Sequence, residues 1–186
     1  MPRYIAFLRA INVGGHLVKM EALRALFESM QFTGVETFIA SGNVIFESKL
    51  PPARSQAKIE EVLSSSLGYG VSTFVRSDAE VTAIACATPF PEAAVAAAPT
   101  FCVGFLAAPL PTEAARALRK LESEDERLHL QGSEIYWLSR NRQSDSVFSN
   151  AVFEKLTGAR ATFRGMNTIR KLAAKYPPTV SRRIPK

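Results

Sequence analysis

A chain of 186 residues with 47% hydrophobic content is long enough for one ordinary domain or two small ones and apolar enough to bury a core. No stretch reaches the roughly 20 apolar residues of a membrane span, and no basic leader with an apolar run opens the chain, so a soluble cytoplasmic protein with no membrane partner is expected. The net charge of +6 hints at phosphate-bearing partners, but the last ten residues, with Arg182, Arg183 and Lys186 and no acid, carry +3 of it, and the two cysteines, Cys86 and Cys102, are too few for a disulfide framework or a thiolate metal site and read as buried free thiols.

The first strand is "RYIAFLRA", short and apolar on both faces as an interior strand should be. After "INVGGH" the spacing turns helical, with Met20, Leu23, Phe27 and Met30 on one face. "VETFIA", the turn "SGN" and "VIFES" predict a hairpin. Pro51 and Pro52 open a helix carrying Ile59, Val62, Leu63 and Leu67 inward, and Gly68 stops it. "VSTFVR" is the next strand, and Asp78 caps a helix with Val81, Ile84 and Ala85 inward.

"TPFPEAAVAAAP", Thr88 to Pro99, is bounded by prolines and predicts an irregular connector. The same order of elements then returns. "TFCVGFLA" is a strand, and Ala114, Leu118 and Leu121 mark a helix starting near Pro111 and Thr112. "RLHLQ", the turn "GS" and "EIYWLS" predict a second hairpin. Phe148, Val152 and Leu156 follow at helical spacing, with a cap expected among Ser144 to Ser146 and a stop at Gly158. "RATFR" is the last strand, and Ile169, Leu172 and Tyr176 lie along the last helix.

Each half therefore runs strand, helix, hairpin, helix, strand and added helix, and each ends alike, "STFVRSDAEVTAIA" against "ATFRGMNTIRKLAA". The expected fold class is α+β: two tandem ferredoxin-like (βαββαβ) subdomains with antiparallel sheets and a helix added after each. The boundaries are 1–87 for the first, 88–99 for the connector, 100–176 for the second with its C-terminal helix, and 177–186 for a basic, proline-containing tail expected to be disordered.

That topology puts the loop after the first strand and the turn of the first hairpin at one end of one sheet. Asn12, Gly14 and Gly15 should then lie near Ser41, Gly42 and Asn43, with the cations of Arg9 and Lys19 and the positive end of the first helix around them. Such a set suits a small anion. It also suits a plain turn, because "INVGGHLVKM" has neither the G-x-G-x-x-G spacing of dinucleotide sites nor the Gly-Lys-Ser/Thr ending of a P-loop.

"YIAFLRAINVGG", "KMEALRALF", "TFIASGNVIFES" and "RATFRGMNTIRKLA" together resemble the domain-of-unknown-function 1697 family over about Tyr4 to Leu172. The resemblance implies a small bacterial-type α/β protein with two ferredoxin-like subdomains, and brings no established reaction and no catalytic residues. Three departures stand out. Ala10 occupies the place of a usual glycine, and Ser146-Val147-Phe148-Ser149 replaces a Ser-Lys-Leu-Thr run and loses its cation. Near the end, Arg164, Asn167 and Thr168 keep the family residues while Gly165 and Met166 replace an asparagine and a tryptophan.

Catalytic signals are sparse, and no cofactor or metal is expected. His16 and His129 are the only histidines, so His16 reads as a loop residue or as a lone general base. Ser41 lacks a nucleophile-elbow pattern, and Glu122, Glu124, Asp125 and Glu126 read as a solvated acidic run. Phe7, Phe38, Phe46, Tyr136 and Trp137 lie on predicted strands, either as core or as base-stacking platforms, although the strands lack the pattern of RNA-recognition motifs. Three functions stay open: a non-catalytic protein binding a small anionic or phosphorylated ligand at Arg9, Asn12, Gly14, Gly15, Lys19, Ser41, Gly42 and Asn43, joined by Arg164, Asn167 and Thr168; a nucleic-acid-binding module; and an enzyme acting on a phosphorylated metabolite. The oligomeric state is not readable from the sequence.

Overall fold

The structure, a computed structural model, describes residues 1–12, 17–39 and 42–178. Gly14, Gly15, His16, Ser41 and the basic tail from 179 onward lie outside the described residues. The chain divides into two compact units, one of Met1–Cys86 with Arg170 and the residues after it, the other of Ala87–Ile169. Among the described residues there are eight strands in two antiparallel sheets and seven helices, a mixed α+β architecture.

In the first unit β1 (Arg3–Leu8), α1 (Met20–Ser29), β2 (Thr33–Thr37), β3 (Asn43–Glu47), α2 (Pro52–Leu67), β4 (Thr73–Ser77) and α3 (Asp78–Cys86) follow in order, and the sheet runs β2-β3-β1-β4. Alternation along β1 sends Tyr4, Ala6 and Leu8 into a core with Leu23 and Phe27 of α1 and Ile59 and Leu63 of α2. Ile5 and Phe7, on the other face, are buried as well, which is why β1 has no polar alternation. Pro51 precedes α2 and Gly68, in the left-handed region at φ 79°, ends it, as the sequence predicts. Cys86 differs from expectation: it sits at the exposed C-terminal end of α3, because Val81 and Ile84 take the inward positions of that helix.

In the second unit α4 (Glu92–Ala97), β5 (Thr100–Phe105), α5 (Thr112–Arg119), β6 (Glu126–Gln131), β7 (Glu134–Ser139), α6 (Asn150–Thr157), β8 (Thr162–Gly165) and the start of α7 (Met166–Lys175) follow, and the sheet runs β6-β7-β5-β8. Between Pro91 and Pro99 the alanine-rich stretch forms α4, where intrinsic helix propensity outweighs the expectation of an irregular segment. The cap of α6 is Ser149, whose Oγ accepts from the Val152 N–H at 3.2 Å, rather than one of Ser144 to Ser146. The inward face of α6 also differs from the expected one: Phe153 packs in the core with Phe148, and Leu156 is exposed. The acidic run is split too: Glu126 is buried in a network with Trp137, Ser139 and Ser146, while Glu122, Glu124 and Asp125 stay exposed.

Past α7 the chain is fastened to the edge strand of the first unit. Glu36 Oε2 accepts from the Tyr176 hydroxyl at 2.6 Å and from Lys175 Nζ at 3.0 Å, and the Phe38 ring, which lies just beyond β2, meets Tyr176 edge to face. The Tyr176 and Lys175 hydrogen bonds hold the Glu36 carboxyl below its usual value of 4.5. A depressed carboxylate contributes stability above its unfolded pKa and loses it as pH falls through the folded one. The stability difference between wild type and Glu36→Gln is therefore expected to be constant above about pH 5 and to shrink below pH 4.5. Urea titrations of both proteins across pH 3–7 check this, and a pH-independent difference would remove Glu36 as the cause.

Candidate functional site

The sequence-predicted edge is built from two segments that leave the same end of the first sheet. Beyond β1, the Arg9 N–H donates to the Ser72 carbonyl at 2.8 Å, and the Ile11 carbonyl accepts from the Tyr69 hydroxyl at 2.8 Å. Asn12 Oδ1 accepts from the Val18 N–H at 2.8 Å and so ties together the two described ends of the glycine loop. Lys19 follows in extended conformation as the N-cap of α1, its side chain exposed and making no capping bond. A cation beside the positive end of a helix is locally unfavourable, and only Glu21 in the first turn offsets it. Sequence rules broken in this way concentrate at functional sites.

The hairpin supplies the other segment. Asn43 is buried, and its Nδ2 donates to the Phe38 carbonyl at 3.1 Å while its own carbonyl accepts from the Phe38 N–H at 2.9 Å. Gly42, at φ 73°, accepts from the Leu8 N–H at 2.8 Å. A Cβ there would lie 3.0 Å from Ile11 Cγ2 and 3.2 Å from Leu8 Cβ. Gly42 therefore packs against Leu8 and Ile11, and glycine is needed at 42 both for its backbone angle and for that approach.

Arg9, Asn12, Lys19, Gly42 and Asn43 thus belong to one end of one sheet. Asn12 and Asn43 spend side-chain groups holding the segments in place. Arg164, Asn167 and Thr168 belong to the second unit: Arg164 Nη1 donates to Thr162 Oγ1 at 2.8 Å and to the Phe163 carbonyl at 2.9 Å, and burial lowers its pKa to about 10. Asn167 is exposed and Thr168 half-buried in the first turn of α7. Among the described residues no group of three or more His, Cys, Asp and Glu could hold a metal ion. His129 packs its ring against Phe90 and Tyr136.

Sequence reasoning did not anticipate two features of this edge. Ala10 and Ile39 both adopt left-handed backbone, at φ 56° and 50°, and Leu17 and Ile39 expose 83% and 55% of their surface. Only position 10 carried a signal, the glycine usual in the family. Left-handed backbone costs a non-glycine residue about 1–2 kcal/mol, more for a β-branched one. Ala10→Gly and Ile39→Gly are each expected to stabilise the protein by about 0.5–1 kcal/mol after the glycine entropy is subtracted. Urea midpoints check this; a loss of stability in both would show that neither position is strained.

Of the five aromatic residues expected on strands, Phe38 is half-buried against Tyr176 and the other four lie in the core. Phe7, Phe46, Tyr136 and Trp137 are buried, and burial, aided by Glu134, raises the Tyr136 hydroxyl to about 12. No described helix is long and apolar enough to cross a membrane.

Among solved structures, the chain is similar to a conserved bacterial protein from Streptococcus pneumoniae, at 24% identity and a TM-score of 0.70, over 93% of this chain and 97% of that one. That likeness supports the mixed α+β fold. No curated protein matches the sequence. The family profile described as Protein of unknown function (DUF1697) matches residues 1–136, the part of the chain that carries the glycine loop, both hairpin turns and the whole first sheet, and the chain belongs to that family.

Proposed function

We propose that the protein binds a small anionic or phosphorylated ligand at the end of the first sheet, where Ile11, just beyond β1, packs against Gly42 of the β2–β3 turn. The packing of Gly42 against Leu8 and Ile11 carries this proposal, because it joins the β2–β3 turn to the segment after β1, from which the Asn12–Val18 bond leads to Lys19 and the uncapped start of α1. Strain at Ala10 and Ile39 on both segments is the kind of cost that persists where a loop is held for binding. Burial of Phe7, Phe46, Tyr136 and Trp137 leaves these rings unable to stack on bases, which favours a small ligand over single-stranded nucleic acid. Gly14, Gly15 and Ser41 complete the proposed site by sequence position.

Thermal shift against inorganic phosphate, nucleotides and sugar phosphates tests it. Stabilisation should grow with ligand concentration, and Lys19→Ala should weaken affinity about five- to tenfold at low salt while leaving the unliganded melting temperature unchanged or slightly higher. Equal responses in wild type, Arg9→Ala and Lys19→Ala would dismiss the site. Affinity for single-stranded RNA that survives removal of 177–186 would favour nucleic acid instead.

We also propose that the two units are copies of one ferredoxin-like βαββαβ unit, with 88–99 as the connector between 1–87 and 100–176. The two sheets share a strand order, and in each the last strand carries an arginine two residues before the next helix, Arg76 and Arg164, with Nη1 on the preceding carbonyl at 3.0 Å and 2.9 Å. An experimental structure whose halves do not superpose with Arg76 on Arg164 would count against duplication.

A further inference from the structure

β6 is an outer strand of the second sheet, and its hairpin with β7 closes on the pair Gln131 and Glu134 around Gly132-Ser133. In a two-residue hairpin the closing pair exchanges hydrogen bonds, so Arg127, His129 and Gln131 direct their backbone groups to β7, whereas Glu126, Leu128 and Leu130 direct theirs outward. The outward groups near the start of the strand are used. The Glu126 carbonyl accepts from the Ser123 N–H at 2.9 Å, and the Leu128 N–H donates to Glu122 Oε1 at 3.2 Å. The Leu130 N–H and C=O bond to no described residue outside the strand.

Two clefts flank that free pair. One, of about 400 Å³, reaches from Leu110 and Arg116 to Gly132; the other, of about 320 Å³, lies over Leu118 and Leu128. Arg119 and Leu130 line both. The Arg119 side chain is exposed and forms no hydrogen bond or ion pair with a described residue, whereas its neighbour Arg116 is paired with Glu113 at 2.9 Å. An open edge, a helix lying alongside it and an unpaired guanidinium between two clefts are the parts of a strand-addition groove.

We propose that this groove takes an extended peptide as an added strand on β6, with a peptide carboxylate on Arg119. Main-chain bonds to Leu130 would supply register, and the half-buried Leu110 and Leu128 would take alternate apolar side chains. Glu122 already holds the Leu128 N–H as an incoming carbonyl would, so an added strand can exchange with it. Charge selects the occupant: Arg119 lies between the two clefts without an acidic partner among the described residues, so an acidic peptide supplies the carboxylate it lacks and a basic one is repelled.

The test uses the full chain and two fluorescein-labelled pentapeptides, Thr-Val-Glu-Val-Thr and Thr-Val-Lys-Val-Thr, in anisotropy titrations, with hydrogen exchange at the Leu130 amide as the second readout. The acidic peptide should bind with Kd below about 1 mM and at least about tenfold more tightly than the basic one. It should slow exchange at Leu130, and Arg119→Ala should cut its affinity about fivefold or more. Equal binding of both peptides, or binding that leaves Leu130 exchange unchanged, would overturn the proposal. So would a concentration-dependent dimer that Arg119→Ala tightens, since that assigns the edge to a second copy.

Discussion

Glu126→Ala is expected to destabilise the protein by about 3–5 kcal/mol, while Glu126→Gln costs about 1 kcal/mol. The Glu126 carboxylate is buried and accepts three bonds: Trp137 Nε1 at 2.6 Å on Oε2, and Ser139 Oγ at 3.0 Å and Ser146 Oγ at 2.6 Å on Oε1. Alanine leaves an indole N–H and two hydroxyls facing a cavity. Glutamine can keep its oxygen on Trp137 and turn its NH2 to the serines, whose oxygens already accept from the Asn141 and Phe148 N–H groups at 3.0 Å and 2.9 Å and have a second lone pair. Trp137 is the single tryptophan, so its fluorescence reports directly on this bond. Urea unfolding followed at that signal checks the order of the variants. If glutamine costs as much as alanine, the charge itself, and not the number of satisfied donors, holds the network.

Gly104→Ala is expected to cost about 1–3 kcal/mol, although alanine in a strand interior is normally favoured over glycine by about 0.5–1 kcal/mol. A Cβ on Gly104 would lie 2.5 Å from Phe163 Cε1 and 2.7 Å from its Cζ. The ring cannot swing aside freely, because it meets Trp137, Phe148 and Phe153 edge to face at centroid distances of 6.3, 5.4 and 6.1 Å. The first sheet solves the same packing problem with other volumes, setting Ala6 against Val75 where the second sets Gly104 against Phe163. Gly104→Ala should therefore be tolerated in a Phe163→Val background, giving a coupling energy above about 1 kcal/mol in a double-mutant cycle. Additive costs would mean that the ring relaxes and that Gly104 serves another need.

What the sequence disclosed depended on the range of the interaction. Periodicity along one element fixed β1, α2 and the hairpin of β6 and β7, and the Pro-Pro start and Gly68 stop of α2 fell where local backbone chemistry put them. Contacts between elements were harder to read. Glu126 looked like one of four solvated acids because its partners lie 11, 13 and 20 residues away, and only the fold brings a tryptophan and two serines to it. Ser149 was displaced as the cap of α6 by a nearby run of serines that looked equivalent. At the candidate site, strand order was enough to put the segment after β1 and the β2–β3 turn at one end of the first sheet, while the packing of Gly42 on Leu8 and Ile11 needed the fold. The left-handed backbone at Ile39 left no trace, since nothing in a β-branched side chain announces that angle.

The return of the chain to the first unit has a consequence for synthesis. Residues Met1–Cys86 leave the ribosome without Lys175 and Tyr176, and all of Ala87–Ile169 is translated before these can reach Glu36. At ~5–20 residues per second that interval is roughly four to seventeen seconds, far longer than a small domain needs to fold. During it, β2 is an unfastened outer strand, with the Phe38 ring lacking Tyr176. The nascent first half therefore has to hold its sheet without the clasp, and the interval before translation reaches Tyr176 is when wrong strand pairing has its best opportunity.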